Sequence, residues 1–492
     1  MSVAGPTSRG AAVRLMIYAG ITIAAALSTF LTGPVMVRLL GLESFGTWSL
    51  IEPLVLTAAV LALLGIDHGL IKQISLDGGQ LRVALGRLLL PGAPVLLVIA
   101  IAAGTAIAFP LLGLHAAPAL AALVAAEALL GLLLFGCRAE NRLGPYAVGQ
   151  AGRTVLLLAA LSALLLSTGP TPLTIMDVVL LRLVIVASLA VLLLGLLRPA
   201  PANDLAAYTD AVRYGGFILL TSLLAQITEN SDRFLLAWFS DRELVGSYVV
   251  YVKLTEFVGQ GITTPFMLWF PVERFRHLND PDGGGDFFNA AAYVLLALML
   301  GVAGGVALFG RELVSLFAPT LPYDAGTLIV LLMAIVITGM SYPLNVGLLK
   351  PGHTHRNLYP VGIGAVAMIV VGAVLIPELG PNGAALAKLI GAGVTLATLI
   401  ILSQRAHPVA FSFGRMLVLG LGAAALMLLL GPGPGSGWPL ALRVGIFSVG
   451  MLATVAATMD RRTARNLASL LGLASAADVD GVMSSCGRGP AG

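Results

Sequence analysis

Apolar stretches of about twenty residues, separated by short polar links, recur along the whole chain. A hydrocarbon core of about 30 Å takes roughly 20 residues of α-helix, so the pattern predicts fourteen membrane spans. They fall near residues 14–35, 47–70, 88–112, 117–137, 146–167, 174–197, 213–238, 244–270, 288–309, 325–349, 357–377, 383–403, 414–431 and 438–458. Composition agrees with an all-α polytopic membrane protein: 58% of the 492 residues are hydrophobic, 11% are charged, and the mean hydropathy is +0.97. The first run is too long for a signal-peptide core and reads as a retained helix. Cys137 and Cys486 lie far apart without ligand spacing, so neither a disulfide framework nor a metal site is expected.

Basic residues test the orientation, because cytoplasmic loops hold the excess of Lys and Arg. Eighteen fall at the N-terminus and in every second connection: Arg9, Arg14, Lys72, Arg82, Arg87, Arg138, Arg142, Arg198, Arg213, Arg274, Arg276, Lys350, Arg356, Arg405, Arg415, Arg461, Arg462 and Arg465. The opposite loops hold Arg38, Arg242 and Arg311. Both termini are therefore expected in the cytoplasm, and Pro170 outside.

Five cations fall inside predicted spans: Arg153, Arg182, Arg233, Lys253 and Lys388. The acids Glu52, Asp67, Glu127, Glu229, Asp232 and Glu256 share the slab. A charge at mid-bilayer costs about 2.5–3.5 kcal/mol on insertion scales, so each needs a partner or a watery cavity. Glu229 and Arg233 are spaced i,i+4 and Lys253 and Glu256 i,i+3, which allows either self-neutralised pairs or ligands. Arg153, Arg182 and Lys388 have no acid three or four residues away, which leaves pairing across helices, headgroup snorkelling or a ligand. Glu127 lacks a local basic partner and reads as an ion carrier or a buried protonated acid. Glu229, Asp232 and Glu256 are the other candidates for ion coupling or gating.

The chain also repeats. ESFGTW at Glu43–Trp48 and ELVGSY at Glu243–Tyr248 share an acid, a glycine, a small hydroxyl and an aromatic at an offset of 200 residues. Each copy is expected in the loop after the first helix of a half. This divides the chain into two parallel six-helix lobes, 1–200 and 201–410, followed by two extra helices in 411–459 and a disordered cytoplasmic tail in 460–492. Such repeats place substrate sites at their interface.

Four stretches carry a family resemblance: RLLGLESFGTW at Arg38–Trp48, GIDHGLIKQ at Gly65–Gln73, DRFLLAWFSDRELVGSY at Asp232–Tyr248 and LIPELGPNGAALA at Leu375–Ala387. Together they resemble the polysaccharide-biosynthesis flippases of the multidrug, oligosaccharidyl-lipid and polysaccharide exporter superfamily. The resemblance implies two pseudo-symmetric six-helix bundles around a central cavity in a bacterial inner membrane. It also implies a transporter rather than an enzyme, without cofactor, moving a polyprenyl-pyrophosphate-linked oligosaccharide to the outer leaflet by alternating access. Coupling to H+ or Na+, contact with membrane lipids and polysaccharide polymerase partners are part of that expectation; nucleic acid is not.

The chemistry fits on its own terms. A pyrophosphate diester is a dianion, and Arg or Lys groups replace its lost water with charge-assisted hydrogen bonds. Arg153, Arg182, Lys388, Arg233 and Lys253 are the candidates for that role. GPGPGSGW at Gly431–Trp438 lacks the Lys of a phosphate loop, so ATP hydrolysis is not expected. The first predicted helix has no basic residue past Arg14, a departure from the related lipid II flippases, in which the resemblance implies arginines there that meet pyrophosphate; a lipid II flippase of the same superfamily stays an alternative. A cation-exporting multidrug transporter is the main alternative; a membrane polymerase or ligase ranks lower, because no outer connection is long enough for a catalytic domain.

Overall fold

The computed structural model of the protein describes residues 8–75, 79–168, 173–277, 284–348, 354–431 and 439–459. Every regular element among them is helical: α1 (Ser8–Ala62), α2 (Ile66–Ser75), α3 (Leu81–Leu111), α4 (Ala117–Ala139), α5 (Leu143–Thr168), α6 (Ile175–Leu197), α7 (Leu205–Phe239), α8 (Arg242–Val258), α9 (Thr264–His277), α10 (Gly285–Leu308), α11 (Gly310–Phe317), α12 (Ala325–Met340), α13 (Leu358–Leu379), α14 (Pro381–Ala406), α15 (Phe413–Leu430) and α16 (Leu440–Thr458), with short 3-10 and π turns between some of them. Helices are the expected answer, since lipid offers no partner to backbone N–H and C=O groups. Side-chain hydroxyls follow the same rule by bonding back to their own helix, as Ser28 does to the Ala24 carbonyl at 2.8 Å and Thr32 to that of Ser28 at 2.7 Å. The expected tail, Cys486, Pro170 and GPGPGSGW beyond Gly431 lie outside the described residues.

Among the described residues, eleven helices are long and apolar enough to cross a membrane, against the fourteen spans expected. The difference arises in three places. α1 runs two expected spans together, interrupted only at Gly41, whose φ of 75° is open to a residue without a Cβ. The expected span 244–270 is split by a π turn at Gly259–Thr263 into α8 and α9, each short by itself. α12 has 16 residues, after which the chain turns.

The Gly41 break also corrects the placing of the repeat motif. Glu43–Trp48 continues as helix in the second part of α1, and Glu243–Tyr248 lies in the first turns of α8. Neither copy is a loop. The second copy starts where Asp241 Oδ1 accepts the Leu244 N–H at 2.8 Å, an N-cap that frees the following residues to wind.

The helices gather into two compact units. Among the described residues, one comprises those up to 253 together with 314–321 and 364–388; the other comprises those within 254–313 and 322–363 and from 389 to 459. The first has a continuous apolar core in which Leu70, Leu85, Leu130, Leu133 and Leu193 are fully buried. There the N-terminal half of α7 docks on α2 and α3, with Gln73 Nε2 donating to the Ala207 carbonyl at 3.3 Å and Arg87 3.6 Å from Asp204. In the second unit α10 is the buried centre, and Tyr293 ties it to α16 through Thr458 Oγ1 at 2.6 Å.

Candidate functional site

Two charge clusters lie within apolar helices of the first unit. The larger one is organised by Glu127 on α4, whose side chain is only 2% exposed. Arg182 on α6 donates Nε to Glu127 Oε1 at 2.9 Å, while its Nη1 reaches Glu52 Oε1 on α1 at 2.5 Å. Arg153 on α5 approaches the second oxygen of Glu127 at 3.5 Å. Lys253 on α8 lies 3.8 Å from Glu52 Oε2. The indole of Trp48 faces the Arg182 guanidinium, 5.7 Å from its centre. Five helical segments thus meet at one network of ion pairs. Multiple pairing is the physical requirement here, because an isolated ion in this environment loses its hydration without compensation.

The smaller cluster is organised by Asp232 on α7, which is fully buried. Its Oδ2 accepts hydrogen bonds from the Tyr248 hydroxyl on α8 at 2.7 Å and from Lys388 Nζ on α14 at 2.9 Å. Lys388 Nζ also donates to the Glu229 main-chain carbonyl at 2.9 Å. Asp232 Oδ1 has no hydrogen-bond partner among the described residues. Arg233 is buried beside Asp232 on the same helix, the Glu229 side chain is exposed, and Glu256 is half-buried one turn beyond Lys253. Another face of α7 borders an apolar cleft of about 370 Å³, lined by Leu54, Asn230, Phe234, Leu235, Trp238 and Ile369.

Helix starts set the level of these cations. The Thr174–Asp177 capping box begins α6, with the Thr174 N–H on Asp177 Oδ2 at 2.8 Å, and makes Arg182 the eighth helical residue. Pro381, at the first position where proline is tolerated, begins α14 and makes Lys388 the eighth residue there. α5 begins at Leu143, with Pro145 in its first turn, so Arg153 is its eleventh residue. Arg153 and Arg182 share one carboxylate, which is the pairing across helices that their spacing in the sequence left open.

Arg153, Arg182, Lys253 and Glu127 are brought together, and so are Lys388 and Asp232. Sequence reasoning did not assign a role to Glu52, Trp48 or Tyr248. Glu52 was visible as an intramembrane acid, and the two aromatics close the repeated motif, but their partners are distant in sequence.

The repeat has a spatial counterpart in the same unit. A Cβ on Gly46 would run into the Arg242 carbonyl oxygen and lie 2.8 Å from Gly246 N; a Cβ on Gly246 would run into the Leu42 carbonyl oxygen and lie 3.2 Å from Gly46 N. The contact is reciprocal at the 200-residue offset, and the elements meet backbone to backbone. Only glycine permits that approach.

Residues 14–273, more than half of the chain, match the model of the family described as polysaccharide biosynthesis protein. The chain belongs to that family. Comparison with curated proteins finds no match. Among solved structures the chain is similar to the lipid II flippase MurJ in an inward closed conformation, with a TM-score of 0.66 over 89% of this chain and 98% of that one at 13% identity. It is also similar to a ligand-bound structure of the MATE multidrug transporter DinF-BH, with a TM-score of 0.56, 14% identity and coverage of 81% and 94%. An outward-facing MATE family transporter of the MOP superfamily gives a TM-score of 0.55, 16% identity and coverage of 80% and 94%. At such identities the likeness establishes the fold: this is an all-helical, multi-pass membrane protein with the fold of MurJ and the MATE transporters.

Proposed function

We propose that this protein is a flippase, not an enzyme, that moves a polyprenyl-pyrophosphate-linked oligosaccharide from the cytoplasmic to the outer leaflet by alternating access, coupled to H+ or Na+. The observation that carries the proposal is the set of exchangeable ion pairs. Their acids, Glu127 and Asp232, are nearly or fully buried, whereas the cations Arg153 and Lys388 keep 29% and 21% of their side chains exposed. A pyrophosphate entering between the helices replaces a carboxylate as the partner of a cation that is already partly desolvated, so binding avoids part of the cost of stripping water from the cation. Arg153 and Lys388 are the first to be engaged on this reading, Arg182 and Lys253 the next. Arg233 is kept as a further candidate ligand, and Glu127, Glu229, Asp232 and Glu256 as the groups that take up the coupling ion when their cations turn to substrate.

Family membership supports the oligosaccharide as cargo, and the reciprocal Gly46–Gly246 contact supports a chain built of two related lobes, 1–200 and 201–410. The lack of basic residues past Arg14 in the first expected span favours this substrate over lipid II. The direct test is deletion in a strain without a redundant transporter. Lipid-linked oligosaccharide should accumulate on the cytoplasmic leaflet while its synthesis continues; normal surface polysaccharide would defeat the proposal. The topology that goes with it places both termini in the cytoplasm. A reporter fused after Arg465 should report cytoplasm and one inserted at Pro170 the outside, and a cytoplasmic Pro170 would remove the orientation on which export rests.

A further inference from the structure

The glycine contact and the two aromatics beside it repeat at the 200-residue offset, and each aromatic touches one of the two charge clusters. On α1, Gly46 meets the second motif and Trp48, two residues on, covers Arg182. On α8, Gly246 meets the first motif and Tyr248, two residues on, holds Asp232, the partner of Lys388. Arg182 and Lys388 each occupy the eighth position of their helix. Both aromatics are buried, Trp48 at 3% and Tyr248 at 0% exposure. Two residues are little more than half a helical turn, so on either element the glycine and the aromatic move as one rigid piece.

We propose that Trp48 and Tyr248 are positioning residues that transmit the engagement of Arg182 and Lys388 by an anionic headgroup to the Gly46–Gly246 contact. The inference rests on the flippase reading above. When Lys388 turns to a phosphate, Asp232 Oδ2 loses that bond and retains the Tyr248 hydroxyl, and the balance that holds α8 against α7 changes. When Arg182 turns away, Trp48 loses the cation over its ring. In both cases the displaced element carries the glycine that closes the contact. A backbone-to-backbone contact has no flexible side chain to absorb the shift, so it parts instead of adapting.

The test uses the full chain in liposomes, with Cys137→Ala and Cys486→Ser to clear the background and Thr47→Cys as the reporter. Thr47 is 8% exposed and adjoins Gly46, so a maleimide reaches it when the contact parts. The probe is undecaprenyl pyrophosphate, with binding measured separately from labelling. Saturating probe should raise the labelling rate of the parent about tenfold, the scale of an ordinary population shift. Tyr248→Phe, which keeps the ring, should bind the probe within about threefold of the parent yet lose most of the labelling response; Trp48→Leu should do the same. A full response in both variants overturns the inference, and so does a parent that binds without changing its labelling. Loss of binding together with response in Tyr248→Phe also overturns it, since the aromatic would then belong to the binding site. A parent that does not bind the probe defeats the flippase reading itself.

Discussion

Arg182→Ala should be among the most damaging single substitutions in the protein, and the accompanying change of Glu127 should partly rescue folding without rescuing transport. Arg182 bridges two carboxylates, and Glu127, only 2% exposed, is left with Arg153 at 3.5 Å. Breaking a buried ion pair on one side costs about 3–5 kcal/mol because the remaining charge is uncompensated. The single variant should therefore yield less folded protein and melt at lower temperature in detergent. Arg182→Met combined with Glu127→Gln removes both charges and should recover part of the lost stability, since Glu52 keeps Lys253 at 3.8 Å while Arg153, 29% exposed, loses Glu127; flipping should still be absent. The same logic applies to Lys388→Met alone and with Asp232→Asn, since Asp232 is fully buried and its Oδ2 carries the Lys388 bond. A double variant that flips at the parental rate at matched expression would make these charges structural anchors and withdraw them from the site.

Gly46→Ala and Gly246→Ala should each abolish transport and lower thermal stability. The added methyl meets carbonyl oxygens of the opposing backbone, of Arg242 in one case and of Leu42 in the other, and neither can rotate away. Overpacking of this kind costs about 1–3 kcal/mol, more where only backbone can move. Gly216→Ala is the matched control, because its Cβ meets nothing within 4 Å and the substitution improves helix propensity. Parental melting and flipping for both contact variants would show that the two elements separate at no cost and that their contact is incidental.

The hydrophobic pattern determined by itself that the chain is helical and crosses a membrane repeatedly, because lipid dictates both the length and the self-satisfied backbone of each span. The motif at Gly46 and Gly246, the intramembrane charges and the family resemblance were also legible, since each is written in contiguous residues. The sequence could not show whether the motif copies were loops or helix. That depended on a single Gly41 conformation and the Asp241 cap, local events with no periodicity. Partnership was the other thing withheld. Arg182 lies 55 residues from Glu127 and 130 from Glu52, and Lys388 lies 156 from Asp232. Helical spacing names only neighbours three or four residues apart. Which distant acid a cation meets follows from the rotation and depth of each packed helix, and side-chain packing between helices sets those in three dimensions.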